Sequence, residues 1–331
     1  MRLEPLLKAL ADPTRLRIMR LLAHMELAVG ELAQVLGQSQ PRVSRHVRIL
    51  CAAGLAERRK EGSWVFLRAA ITETGTPPLG AATARLLSVS ERDDAAFAMQ
   101  CEEDRRHLAA IRATRQASAE AYFARHAREW DTLRSLHSPD AAVEDMLQSV
   151  LCDQSLGILL DVGTGTGRMA ELFAPRAARI TALDKSPEML RVARSRLDKM
   201  PSGAVDLVQG DFTALPFDED TFDTVLFHQV LHYAQNPAAV LAEAARVTRP
   251  GGRVAIADFA AHDREELRER HAHARLGFTD EQMAGFLAGA GFAGEAMREV
   301  AGQPLTVKIW TARKDAAPKA AGSALLQREE R

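Results

Sequence analysis

The sequence predicts an α/β chain that carries a smaller α+β module at its N-terminus. Three observations predict it. Apolar runs recur at residues 158–160, 180–183, 205–208 and 222–227, and the chain after each turns through acids, glycines or a histidine. That is the pattern of buried parallel strands in an open sheet. A glycine turn, Gly163-Thr164-Gly165-Thr166-Gly167, follows the first run directly. The first seventy residues read differently, as short amphipathic helices and one hairpin. They hold 12 Lys and Arg against 6 Asp and Glu, so a net charge of −1 divides into +6 there and −7 elsewhere. A basic module on an acidic body suits a polyanionic partner.

In chain order, Asp12-Pro13 is a helix start, with Asp12 as N-cap and Pro13 in the first turn. Leu16, Met19, Leu22 and Ala23 then share one face. Residues 30–37 form a short helix closed by Gly37. Ser39-Gln40-Pro41 opens the next, with Ser39 as cap, and this helix runs to about Ala53 before Gly54. Val43, Val47 and Leu50 make its inner stripe, while Arg42, Ser44, Arg45 and Arg48 lie away from it. Two helices so spaced, the second bearing guanidinium forks suited to guanine edges and phosphates, make a helix-turn-helix. Residues 55–59 and 64–68 pair around Lys60-Glu61-Gly62 as a wing with a basic tip. The candidate DNA contacts are Ser39, Gln40, Arg42, Ser44, Arg45, His46, Arg48, Arg59 and Lys60. A solvated charged face is the plainer alternative.

Residues 74–80 read as a linker. Residues 81–135 read as long helical stretches, with Leu86, Ala110 and Ile111 at packing positions and 102–106 as a solvated charged face. A helix to Leu151 precedes the first strand. The expected layout is 1–75 for the DNA-binding module, 76–149 for a helical connecting region, 150–313 for the sheet domain and 314–331 for a frayed tail.

Within the sheet domain the glycine turn permits positive φ and close approach of a ligand to the main chain. The following helix start offers unpaired N–H groups. Asp184, at the tip of the second strand, is placed either to take both hydroxyls of a ribose or to cap the helix at Ser186-Pro187. Asp211 could accept an adenine amino group while the ring of Phe212 lies against the base. His228, Gln229, His232 and Tyr233 follow the fourth strand. His228 and His232 are spaced to share a helical face, with no acid between them and no third metal ligand evident. Residues 262–275 read as a charged surface helix or, failing that, a lid. Residues 278–291 form a helix, and 295–300 with 305–313 a final strand pair.

The stretches LDVGTGTGRMAELFA, TALDKSPEMLRVAR, GDFTALPFDEDTFDTVLFHQVLHY and LAEAARVTRPGGRVAIADF resemble the successive motifs of class I S-adenosylmethionine (SAM)-dependent methyltransferases. The resemblance implies a Rossmann-like domain with a mostly parallel seven-stranded sheet. It implies that Asp161, Gly163, Thr164, Gly165 and Gly167 hold the methionine part of SAM or S-adenosylhomocysteine (SAH). Asp184 and Lys185 would lie at the ribose, Met189 at the adenine edge, and Gly210, Asp211 and Phe212 at the adenine. His228 is a further candidate cofactor contact, and His228, His232 and Tyr233, after the fourth strand where this fold class places acceptor contacts, are the catalytic candidates. In related proteins the segment before the first strand lids the site, a role open to His126 and Trp130; core packing is the alternative for Trp130. No Asn/Asp-Pro-Pro-aromatic acceptor motif is present.

Residues 1–75 resemble the winged helix-turn-helix of the ArsR family of repressors. The resemblance implies a homodimer that reads a palindromic operator on double-stranded DNA. Where many members place metal-binding cysteines, this chain has Ala28 and Gly30, so no metal is expected. Among ArsR-like proteins carrying such a C-terminal domain, the chain resembles SAH-responsive regulators of methionine-cycle genes. The alternative is a small-molecule methyltransferase with an autoregulatory DNA-binding domain. Three scattered cysteines, Cys51, Cys101 and Cys152, argue against a disulfide framework and for a cytoplasmic setting. No apolar run is long enough to span a bilayer, and the charged start does not read as a secretion signal.

Overall fold

The computed structural model describes residues 2–23, 25–73, 77–136, 140–201 and 203–316. Contacts divide the chain into two compact units. One is Met1–Tyr122 with Ala261–Leu276; the other is Phe123–Ala260 with Gly277–Arg331. The stretch 76–149, expected as one connecting region, is shared between them.

The first unit runs α1 (Leu3–Leu10), α2 (Pro13–Leu22), β1 (Leu27–Ala28), α3 (Val29–Leu36), α4 (Gln40–Ala52), β2 (Ala56–Glu61), β3 (Trp64–Ala69), α5 (Pro78–Asp93) and α6 (Ala95–His126), whose last turn lies past the boundary. Local chemistry sets the helix ends. The Asp12 carboxylate accepts from the Arg15 N–H at 3.0 Å, with Pro13 in the first turn. Gly37 ends α3 at φ 62°, a left-handed cap that glycine adopts without Cβ strain. Ser39 stands at the N-cap of α4 but makes no side-chain capping bond. The strands form an antiparallel sheet in the order β1-β3-β2. Ile18, Leu32, Val43, Val47, Leu50 and Leu67 fill the core.

Several packing expectations need correction. Leu87 and Leu108 enter the core from α5 and α6, while Leu86 is 53% exposed and Ala110 lies at the surface. One residue is about 100° of helix, so a small phase error exchanges neighbours. The run 102–106 is not wholly solvated, because Asp104 is buried and accepts two bonds from Arg17 at 2.6 and 2.7 Å. Helix α5 begins at Pro78, inside the expected linker, of which 74–76 lie outside the described residues.

The second unit begins with a 3-10 turn at Ala127–Glu129, then α7 (Trp130–Ser135), α8 (Asp140–Leu151), β4 (Ile158–Val162), α9 (Arg168–Phe173), β5 (Arg179–Asp184), α10 (Pro187–Leu197), β6 (Val205–Gln209), β7 (Phe222–His228), α11 (Pro237–Val247) and β8 (Thr248–Phe259). The short α12 (Glu266–His271) belongs with the first unit; α13 (Asp280–Gly289), β9 (Phe292–Val300) and β10 (Val307–Lys314) complete the second. The seven-stranded sheet has the order β6-β5-β4-β7-β8-β10-β9. The first five strands are parallel; β10 pairs antiparallel with both neighbours. This is the mostly parallel, Rossmann-like sheet expected. From β4 the chain passes to β5 on one side, and β7 lies on the other. The switch point is therefore the carboxyl end of β4, where open α/β sheets receive ligands. The cap of α10 is Ser186, whose hydroxyl accepts from the Met189 N–H at 3.2 Å, so Asp184 does not serve as that cap. Of the tail expected to fray from residue 314, Lys314 ends β10, and 317–331 lie outside the described residues.

Candidate functional site

At the switch point the glycine turn is held by packing and by two carboxylates. Asp161 is 1% exposed at the end of β4. Its Oδ2 accepts from the Thr164 hydroxyl at 2.6 Å, while the buried Oδ1 meets no hydrogen-bond donor among the described residues. Burial pushes the Asp161 carboxyl up to about 7; the Thr164 hydroxyl opposes this and the neighbouring Asp184 adds to it. A carboxylate with an orphaned buried oxygen fits a cationic or N–H donor supplied from outside the protein. Gly163, at φ 68°, lies so close to Val230 that a Cβ would fall 2.3 Å from its side chain. Gly165, at φ 55°, faces Trp130, whose Nε1 stands 3.6 Å from where a Cβ would be.

The Asp184 carboxylate clamps the turn to the end of β5. Its Oδ2 accepts from the Gly165 N–H and its Oδ1 from the Ser186 N–H, both at 2.8 Å. Burial raises its pKa against these bonds. Next to it, the Lys185 ammonium donates to Asp211 at 2.7 Å, and Asp211 also accepts from the Thr213 N–H and hydroxyl at 2.8 and 2.6 Å. Burial alone would raise the Asp211 pKa, but Lys185 and Thr213 together bring it below the usual value. Met189 is buried at the start of α10, Gly210 packs against Leu183, and Phe212 is half-buried against the sheet core. The expected ligand residues Asp161, Gly163, Thr164, Gly165, Gly167, Asp184 and Lys185 thus gather at the ends of β4 and β5. Gly210, Asp211 and Phe212 follow β6.

Beyond β7 the geometry departs from expectation. His228 ends the strand, whereas His232 sits in a 3-10 turn, Leu231–Tyr233; they share no helical face. Burial, with the Arg134 and Arg168 charges, pushes the His228 pKa well below its ordinary value, which keeps that ring neutral. Its Nε2 is buried without a hydrogen-bond partner among the described residues. His232 does have an acidic partner. Its Nδ1 lies 2.7 Å from Asp258 Oδ1, and its backbone N–H donates to Asp258 Oδ2 at 3.1 Å. Asp258 is fully buried near the end of β8 and was missed in the sequence. Its signal was the same as for Asp161 and Asp184, an acid at a parallel strand's carboxyl end. Gln229, between them, has φ 51°, a left-handed backbone that a side chain rarely adopts. Tyr233 meets Phe123 edge-on at 4.8 Å, Phe123 meets Trp130 at 5.4 Å, and Trp130 lies 6.4 Å from Tyr233. Trp130 therefore packs in an aromatic cluster, and its ring also lies near Gly165 of the glycine turn.

In the first unit, α4 presents Gln40, Arg42, Arg45 and Arg48 to solvent, with Ser44 and His46 half-buried and Ser39 exposed before it. Lys60 is exposed on the wing, but Arg59 is not free to reach outward. It donates to Glu61 at 2.7 Å and to Glu26 at 3.1 Å. Within residues 262–275, expected as a charged surface helix or a lid, the helix is short, with Glu266, Glu269 and Arg270 exposed on it. Only Glu266–His271 are helical, Arg275 is 2% exposed, and the segment belongs to the first unit. Among the described residues no group of three or more His, Cys, Asp or Glu could hold a metal ion. No helix there is long and apolar enough to cross a membrane.

Comparison with known proteins agrees with both folds. Residues 160–256 match the family model of a methyltransferase domain, and residues 12–58 match that of the bacterial regulatory proteins of the arsR family. A demethylmenaquinone methyltransferase of Renibacterium salmoninarum is 40% identical over 101 residues, which cover 30% of this chain and 40% of that protein. A phosphatidylethanolamine N-methyltransferase of Cereibacter sphaeroides is 39% identical over 112 residues, 34% of this chain and 55% of its own. The match thus spans only about half, or less, of these relatives. Among solved structures, a chain of the complex between a Haloferax volcanii methyltransferase activator and a methyltransferase aligns with a TM-score of 0.51 at 20% identity. It covers 60% of this chain and 96% of its own length, a likeness of fold alone.

Proposed function

We propose that this chain, an ArsR-type helix-turn-helix joined to a class I methyltransferase domain, is a ligand-responsive transcriptional regulator, acting as a repressor. Its second unit binds SAM or SAH and couples occupancy to operator affinity, and methionine- and SAM-cycle genes are the targets proposed. The carrying observation is the exposed row Arg42, Arg45 and Arg48 on α4, in a chain whose other unit keeps a complete glycine turn. In this reading Asp161 takes the ligand's amino group, Asp184 the ribose hydroxyls, and Asp211, Phe212 and Met189 the adenine. Bound SAM presents a sulfonium methyl group, which SAH lacks. The chain acts as a homodimer on a palindromic operator. The exposed Leu3 and Leu7 on α1, with Leu86 and Met99 on α5 and α6, supply apolar surface for pairing.

The test is calorimetry with SAM and SAH, paired with DNA binding at fixed salt. Ligand binding that leaves DNA affinity unchanged removes the sensor. Arg45→Ala is expected to weaken specific DNA binding and spare ligand binding; Asp184→Ala is expected to do the reverse.

The second reading, a small-molecule methyltransferase, is favoured by the His232–Asp258 pair and by the activities named for the curated relatives. A histidine that donates its Nδ1–H in a hydrogen bond to a carboxylate is held in the tautomer whose Nε2 carries the lone pair of a base. Sustained conversion of SAM to SAH with a metabolite extract, lost in His232→Asn, supports that reading.

A further inference from the structure

Apart from the exposed arginines of α4, the first unit holds a buried charge cluster that takes in Arg59 of the wing. Glu61, the last residue of β2, is 4% exposed at its side chain. It accepts from Arg59 at 2.7 Å, from Arg268 at 2.6 Å and from the Leu276 N–H at 2.7 Å. Arg275 donates to Glu26 at 3.1 Å and lies 4.2 Å over the Phe66 ring, while Arg268 lies 4.5 Å over Trp64. At the tip of the wing the Ser63 N–H donates to Glu265. A Cβ on Gly62 would come within 1.9 Å of that carboxylate. His271 Nδ1 lies 2.8 Å from the Tyr122 hydroxyl. The segment Ala261–Leu276 is therefore fastened along the wing.

We infer that this segment is a clasp that competes with DNA for the wing, and that ligand occupancy acts by changing how much of the time it is closed. The inference rests on the regulator reading above. The competition is chemical. A wing holds phosphate through its cations and its tip N–H groups. Here Arg59 is engaged by Glu26 and Glu61, and the Ser63 N–H by Glu265, so carboxylates stand where phosphate oxygens would bind. The clasp is also built to open. Its helix α12 has six residues, with Leu267 as its buried apolar anchor. Most of the fastening is ion pairing, whose attraction is largely offset by desolvation. The route to the ligand site is the chain itself. The clasp departs three residues after Asp258, which holds His232. Its two ends leave the sheet side by side, since Ala260 and Phe278 are bridged and the Phe278 N–H donates to the Phe259 carbonyl at 2.9 Å.

The test uses the full chain. A DNA duplex is selected from a random-sequence pool on the immobilised protein, and its affinity is measured across a salt series for the parent and for Glu265→Gln. Glu265 is partly exposed, so folding is checked simply by circular dichroism. Opening the tip is expected to raise affinity on the order of tenfold and to steepen the log–log salt slope by about one to two phosphates. An unchanged or lowered affinity in the folded variant overturns the clasp. In parallel, hydrogen exchange is read over 56–69 and 261–276 with and without SAH, and again with SAM. The ligand that raises protection in both segments is expected to lower DNA affinity. Protection and affinity rising together overturns the inference, as does a ligand that changes DNA affinity without moving exchange in either segment. Absence of SAM and SAH binding in calorimetry instead sinks the regulator reading, while the Glu265→Gln salt slope still decides the clasp.

Discussion

In the function proposed above, the buried carboxyl of Asp161 ties ligand affinity to pH. Its pKa is raised to about 7 from an ordinary 3.8. Between those values the folded chain holds a proton that the unfolded chain has lost, so this group's contribution to stability falls as pH rises from about 4 to 7 and then levels. An ammonium group placed beside Asp161 favours the ionised form and expels that proton. SAH affinity is therefore expected to rise with pH, by up to about tenfold per unit below 7, and to flatten above it. Calorimetry from pH 5.5 to 8 in two buffers of different ionisation enthalpy measures both the slope and the proton released. Asp161→Asn is expected to abolish the slope; a slope that survives this change places the proton elsewhere. On α4, Arg45→Ala is expected to cost about 1–3 kcal/mol of sequence discrimination if its fork reads a base, measured on matched and mismatched duplexes.

At the scale of elements, the glycine turn and the strand ends form one object. Gly163 combines a φ of 68° with contact against Val230, so both backbone and packing require glycine. Gly163→Ala is expected to lose about 1–2 kcal/mol from the left-handed backbone alone, more once Val230 is displaced, and to abolish SAH binding. Thermal unfolding with and without ligand checks this. Much of this geometry was legible because it is local. Asp12, Gly37 and the Gly163–Gly167 turn declare themselves within a few residues of chain, and strand ends follow from apolar runs. The choice between Leu86 and Leu87 was not legible, since adjacent leucines in an Ala-rich helix leave the phase open. Nor was the Asp258–His232 pair, which depends on β7 and β8 lying side by side. The ion pairs of Arg275 with Glu26 and Glu61 lie further still from any local signal, because they join stretches more than two hundred residues apart that only the tertiary fold brings together.

For the whole molecule, the charge asymmetry in the sequence survives in the structure as a module whose arginines take two different roles. Arg42, Arg45 and Arg48 are exposed, while Arg17, Arg20 and Arg59 are paired inside the first unit. A count of Lys and Arg over residues 1–70 therefore overstates the surface offered to a polyanion. The log–log salt slope of DNA binding is expected to report fewer phosphates per chain than the twelve cations there would give. Ligand is expected to raise the melting temperature of the second unit's transition in proportion to the logarithm of its concentration, as mass action requires. Calorimetric scans at several SAH concentrations separate this from any shift in the first unit.

The bridge between Ala260 and Phe278 makes the intervening stretch an appendage to the sheet rather than a part of its weave. Both exits are already stitched together, where the chain leaves β8 and where it returns ahead of α13. The excursion's own burial lies in the first unit, with Arg275 at 2% and Leu276 at 0% exposure, so changes to it fall on that unit rather than on the strands of the sheet. A chain of this layout can thus retune control of its wing by editing one excursion whose two ends are already joined.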